Sequence, residues 1–204
     1  MTRIHSYARA AIAAAAVPLA LGGCAARSVE RIDAATVTDL SGRWNDVDSR
    51  IVAEALTTQS LHSWAAPRSD QPGPNAPVVI VGAFRNRTYE HIAMETFIRD
   101  LERALITSGG VRVVASRDER VEVREERADQ QENAAPETRA RLGRELGAKY
   151  ILQGDVTAIE DREGRDRIRF YQIDATLIDL ESNAKIWTGQ HKIKKHIEHG
   201  WFSR

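Results

Sequence analysis

A single cysteine, Cys24, stands in a chain of 204 residues, so no disulfide can form within it and thiol chemistry would rest on one side chain. Neither sign of charge is in excess, with 29 basic and 29 acidic side chains, and this balance gives no reason to expect a nucleic-acid or strongly acidic partner. No apolar run approaches the roughly 20 residues that cross a bilayer core. Residues 10–21 come nearest, but Pro18 interrupts them and Gly22 and Gly23 follow. Catalytic signatures are missing too. There is no Gly-x-Ser-x-Gly elbow and no phosphate loop ending in Gly-Lys-Ser/Thr, and Ser108-Gly109-Gly110 reads as a helix stop. His196 and His199 would share one helix face as a weak zinc pair, but Lys192, Lys194 and Lys195 surround them and no third ligand is paired with them; no metal or cofactor is assigned. Carboxylate pairs such as Asp155 with Glu160, or Asp161 with Glu163, are too common to single out for acid-base hydrolysis. The chain is read as a binding module, not an enzyme, with no small-molecule substrate.

What the sequence does contain begins at its N-terminus. Arg3 and Arg9 lead, no acid occurs before Glu30, and the apolar stretch runs into Leu21-Gly22-Gly23-Cys24. This is the order of a secretory signal. Its end resembles a bacterial lipobox, which implies cleavage before Cys24, acylation of its thiol and a chain 181 residues long tethered to a membrane. One acyl chain binds only marginally and several anchor stably. Ala25 follows the cysteine, and by resemblance to enterobacterial lipoproteins the absence of aspartate there implies the outer membrane. Losing residues 1–23 removes two arginines and no acid, leaving 27 basic against 29 acidic side chains. The expected divisions are signal peptide 1–23, lipidated tether 24–36, globular domain 37–195 and basic tail 196–204. About a dozen tether residues reach at most roughly 40 Å.

Within the domain, Asn45, Asp46 or Ser49 caps a helix to about Ser60 with Val47, Ile51, Ala55 and Leu56 on one face, and Trp44 stands ready to pack on its first turn. A Pro/Gly-bearing loop, residues 65–76, leads to the apolar run 77–83, which predicts a strand buried on both faces. Residues 84–88 form a polar exit loop. Met94, Phe97, Ile98, Leu101, Ala104 and Leu105 have helical spacing, with Gly109 beyond the end, and residues 111–115 return as a strand. Ser116 and Glu119 match a capping box opening a charged helix to about Gln131, and another helix is expected from Pro136 to Gly147. The interleaved signs between Arg117 and Glu145 read as a solvated helical face. Residues 150–160, 167–179 and 185–193 then read as an antiparallel meander, the middle strand presenting Tyr171, Ile173, Ala175 and Leu177 to the core and Ile168, Phe170, Gln172, Asp174 and Thr176 to the other side. Beyond Ile193 the basic chain is expected to be a short helix or frayed. The fold class is α/β: a mixed sheet of about five strands, built from a βαβ unit, a helical pair and a meander, with packed helices.

Four stretches carry a family likeness. Residues 38–46 (Thr-Asp-Leu-Ser-Gly-Arg-Trp-Asn-Asp), Val79-Ile80-Val81 leading to Asn86-Arg87-Thr88 and Glu90-His91-Ile92, residues 147–154 (Gly-Ala-Lys-Tyr-Ile-Leu-Gln-Gly), and Ile186-Trp187-Thr188-Gly189-Gln190 together resemble the LpoB-type activators of penicillin-binding proteins. The resemblance implies a periplasmic domain related to the TolB N-terminal and CsgG-like domains. It also implies an outer-membrane lipoprotein that docks on a bifunctional class A penicillin-binding protein and raises its activities without making bonds itself. The alternative is a structural subunit of a CsgG-like secretion or assembly complex. Contacts at such an interface favour exposed Tyr, Trp and Arg, and the expected contact residues are Arg85, Asn86 and Arg87 on the exit loop with Arg167, Arg169 and Phe170 on the outer meander.

Overall fold

The computed structural model describes residues 29–65, 75–141 and 145–198; the expected signal peptide, Cys24, most of the loop before the first strand and the chain after Glu198 lie outside them. The chain divides into two units at Thr36. In the first, residues 29–36 are all exposed, with Asp33 accepting from the Ala35 N–H at 2.8 Å. The second holds every described element of regular structure: α1 (Asp46–Ser60), extended by a π-helical turn over Leu61–Ala65, then β1 (Val78–Asn86), α2 (Met94–Ser108), β2 (Arg112–Val113), α3 (Arg117–Asn133), β3 (Tyr150–Glu163), β4 (Asp166–Asp179) and β5 (Lys185–Ile197). The five strands form one mixed sheet in the order β2-β1-β3-β4-β5. β1 runs parallel to β2 and β3, and β3, β4 and β5 are antiparallel, as a βαβ unit followed by a meander requires.

Asn45 caps α1 and forms a reciprocal box with Asp48, each side chain accepting from the other's backbone N–H at 3.0 Å. The buried stripe of α1 differs from the expected one: Ile51 is 42% exposed, while Val52 and Ala53 are buried beside Leu56. Small polar residues hide the true stripe. Ser49, Thr57 and Ser60 lie on it, and Ser49 and Ser60 satisfy their hydroxyls locally, Ser60 by donating to the Thr57 carbonyl at 2.8 Å. α2 matches its periodicity, burying Phe97, Leu101 and Leu105, and ends at Gly109 with φ +68°, a conformation that favours glycine. α3 opens on the Ser116–Glu119 capping box and buries nothing; Arg124 Nε and Nη2 each donate to the Glu145 carboxylate at 2.8 Å.

Other expectations need correction. β1 is not buried on both faces: Val79, Val81 and Phe84 turn inward, and Ala83 is exposed. A register irregularity between Val81 and Phe84 shifts the alternation by one, so Phe84, Arg85 and Asn86 belong to the strand instead of an exit loop. Pro136 opens a turn, not a helix. The Gln130 and Gln131 amides at the end of α3 bond the Ala140 N–H and carbonyl, supplying from side chains what a helical ladder would. β5 continues through Ile197, which pairs with Arg167, so residues 194–197 are strand and His196 belongs to the sheet instead of a tail.

α1 and α2 cover one face of the sheet. Across the middle of that face runs a row of minimal side chains: Phe84 of β1 neighbours Gly154 of β3, which pairs with Ala175 of β4, which pairs with Gly189 of β5. The Phe84 ring leans over Gly154, and the Trp187 ring over Gly189, where the Gln59 amide of α1 also arrives. Absent side chains thus make the space in which two rings and a helix sit. A methyl group at Gly154 would press on the Asp174 carbonyl oxygen, a backbone atom that cannot turn away, as well as on Phe84. Gly154→Ala is therefore expected to cost about 1–3 kcal/mol of stability, read as a lower urea midpoint with unchanged slope.

Candidate docking face

β3, β4 and β5 are longer than β1, whose last pairing joins Asn86 to Val156. Beyond that point the meander projects, and the chain after β1 folds against it. Asn86 orders this turn: its Nδ2 donates to the Glu90 carbonyl at 2.6 Å, and its Oδ1 accepts from the Thr88 N–H at 2.9 Å and hydroxyl at 2.7 Å. Thr88 in turn accepts from the Glu90 N–H. The turn delivers Glu90 inward. Glu90 Oε2 accepts from the Tyr171 hydroxyl at 2.7 Å and from the Trp44 N–H at 3.3 Å, and its Oε1 lies 3.0 Å from Arg169 Nη1. Arg169 also donates through Nε and Nη2 to Glu160 Oε2, at 3.0 and 2.7 Å. Glu160 collects Arg162 and Arg167 as well. Trp44 completes the cluster, its ring edge-on to Tyr171 and Phe97 at 5.6 and 6.2 Å and its indole N–H donating to Ser49.

The charges titrate as this packing dictates. Hydrogen bonding from Arg169 holds Glu160 below the usual glutamate range. Burial, reinforced by the Glu90 carboxylate, pushes the Tyr171 phenol well above its ordinary value, so it serves as a hydrogen-bond donor. A second pairing sits nearby: Lys195 Nζ contacts Asp48 Oδ2 at 2.7 Å, Asp39 Oδ1 at 2.5 Å and the Arg43 carbonyl at 3.2 Å. Its two carboxylates move apart. Asp39 is lowered by its bond to Lys195, whereas desolvation raises Asp48.

Of the six expected contact residues, Arg169 is 5% exposed and committed to the interior. Strand alternation explains it, since Arg169 stands two residues from Tyr171 and shares its inward face. Arg167 follows the same face, half-buried with Nε 3.4 Å from Glu160. Asn86 is half-buried and spends its amide on its own turn. Arg85 and Arg87 are exposed on the opposite, helix-free side, where Arg85 neighbours Asp155 and Arg87 Nε donates to Asp155 Oδ1 at 3.0 Å. Phe170 is half-buried there in a row with Ile159, 67% exposed, and Lys194. Sequence reading missed Tyr89: at the apex of the ordered turn, its side chain is fully exposed. An aromatic residue in a polar run, next to Asn86-Arg87-Thr88, was the available signal.

Asp155 faces outward and Glu160 inward, so these carboxylates cannot flank one bond. Among the described residues no group of three or more His, Cys, Asp or Glu side chains is placed to hold a metal ion. His196 lies in a strand, not on a helix, and His199 is outside the described residues.

Comparison with known proteins agrees with the sequence likeness. No curated protein matches the chain. Among solved structures, the LpoB C-terminal domain of Escherichia coli aligns with TM-score 0.46 and 16% identity, covering 72% of this chain and 99% of that one, and its Salmonella enterica counterpart aligns with TM-score 0.43 at the same identity and coverage. The solution structure of Escherichia coli LpoB aligns with TM-score 0.41 and 14% identity over 93% of this chain and 91% of its own. The model of the family described as peptidoglycan-synthase activator LpoB matches residues 48–193, from the first turn of α1 to the middle of β5, and on that match the chain belongs to the LpoB family.

Proposed function

We propose that this chain is an outer-membrane lipoprotein, acylated at Cys24 and facing the periplasm, that docks on a class A penicillin-binding protein and raises its peptidoglycan-synthesising activity while catalysing nothing itself. The family match carries the activator role. The exposed set Arg85 at the end of β1, with Arg87 and Tyr89 on the internally bonded turn that follows, supports a docking role for this end of the sheet. Arginine and tyrosine are the side chains that concentrate binding energy at interfaces. Nothing observed favours the assembly-subunit alternative.

An activator of this kind acts only through the difference in its affinity for the active and resting synthase. Moving the enzyme from about 1% to about 99% active demands about 5.5 kcal/mol of that difference. An interface of about 800 Å² per partner is ample for this if its central contacts are well packed.

Two measurements test the reading. In a glycan-polymerisation assay with a purified class A synthase, the wild-type chain raises the rate, and R85A/R87A/Y89A weakens the half-saturating concentration about tenfold or more with an unchanged melting temperature. E90A behaves oppositely: by leaving Arg169 short of a partner it loses about 2–3 kcal/mol of stability. No stimulation by the wild-type chain defeats the activator role, and full stimulation by the triple variant moves the docking face elsewhere. For the anchor, Cys24→Ser is expected to abolish palmitate labelling and release the protein from the membrane fraction. Retention of label would place the acyl chain on another residue.

A further inference from the structure

β5 ends the sheet, and among the described residues its outer edge is bonded at one end and borders a cleft at the other. At one end the Gln59 amide mimics a neighbouring strand, accepting from the Gln190 N–H at 3.3 Å and donating to the Gln190 carbonyl at 3.2 Å. At the other, the segment 39–42 faces residues 194–198 across a polar cleft of about 390 Å³. The bonds to Gln59 establish that Gln190 turns both backbone groups away from β4. Because a strand repeats every two residues, Lys192, Lys194 and His196 turn theirs the same way.

The side chains on this edge select what can add to it. Lys192 and Lys194 are exposed on the helix-free face, and across β4 their partners are Gln172 and Phe170, neither of them acidic. The nearest carboxylate on that row, Asp174, is occupied by the Gln172 and Gln190 amides. Among the described residues neither lysine forms an ion pair, in contrast to Lys195, whose ammonium is spent on Asp39 and Asp48. Edge lysines guard against pairing with another copy, since an antiparallel β5–β5 contact would set lysine against lysine. The same charges attract an acidic strand.

We propose that the β5 edge from Lys192 to His196 is a strand-addition site for an extended acidic segment of a protein partner. Backbone hydrogen bonds would supply affinity, and glutamate or aspartate at alternate positions would face Lys192 and Lys194. This edge lies three strand positions from the Arg85–Arg87–Tyr89 face and does not depend on the activator reading.

The test uses the full chain in detergent and two capped peptides, one alternating glutamate with valine and the other lysine with valine. The glutamate peptide is expected to bind and to slow hydrogen exchange at the Lys192 and Lys194 amides; the lysine peptide is not. K192E/K194E should reverse the preference, by roughly tenfold in each direction. K194P removes an outward N–H that an edge strand can lose, so it should abolish binding, whereas K194Q only weakens it. The proposal falls if the glutamate peptide fails to bind at millimolar concentration, if protection appears away from β5, or if charge reversal leaves the preference unchanged. The reversal decides the matter however the proline variant folds.

Discussion

The guanidinium of Arg169, held between Glu90 and Glu160, is the constraint on which the projecting end of the sheet depends. Taking an arginine out of water is costly, and an apolar replacement of similar volume often holds a fold as well or better. What an apolar residue would not supply is direction. The pair with Glu90 fixes the turn after β1 to the projecting part of β4, and the pair with Glu160 fixes β4 to β3. Tyr171 and the Trp44 backbone use the remaining acceptor on Glu90, so three separate parts of the chain, the turn itself, β4 and the segment before α1, meet on one carboxylate.

The segment before α1 acquires a reason from the same region. Asp39 reaches Lys195, Gly42 lies under the Ile197 side chain where a Cβ would collide, and Trp44 stacks edge-on to Tyr171. Each belongs to the stretch Asp-Leu-Ser-Gly-Arg-Trp. That stretch therefore works as a clasp across the ends of β4 and β5, and β5 stays paired to Ile197 where composition alone suggested fraying. The motif Ile-Trp-Thr-Gly-Gln acts similarly nearer the centre. Its tryptophan covers its glycine, and its glutamine takes the α1 amide on its backbone, joining helix to sheet edge.

How far the sequence disclosed this depends on the range of the forces involved. Features set by neighbours in the chain were legible: the caps at Asn45 and Ser116, the glycine stop of α2, and the inward face of β4 from Tyr171 to Leu177. Features set across the fold were not. Ser49 and Thr57 occupy buried positions on α1 that no hydrophobic pattern marks, and the displaced alternation between Val81 and Phe84 made Phe84 a core residue where a loop was expected. Arg169 was misjudged differently. Its inward direction followed from strict alternation with Tyr171, but an arginine reads as surface until the two acids that neutralise it, 9 and 79 residues away, are placed beside it. Tyr89 was overlooked because exposure is a tertiary property too.

These long-range restraints bear on binding through entropy. A turn that must be ordered on contact charges that cost to the complex, at about 0.5–1.5 kcal/mol for each immobilised side chain, whereas a turn already fixed does not. Here Asn86 and Thr88 satisfy the backbone of the turn from within, and Glu90 nails its far side to Arg169 and Tyr171. Tyr89 is thereby presented on a support that has little left to lose. The buried charges and the exposed aromatic ring are two ends of one device: the interior bears the cost of a desolvated network, and the proposed docking surface is shaped before any contact is made.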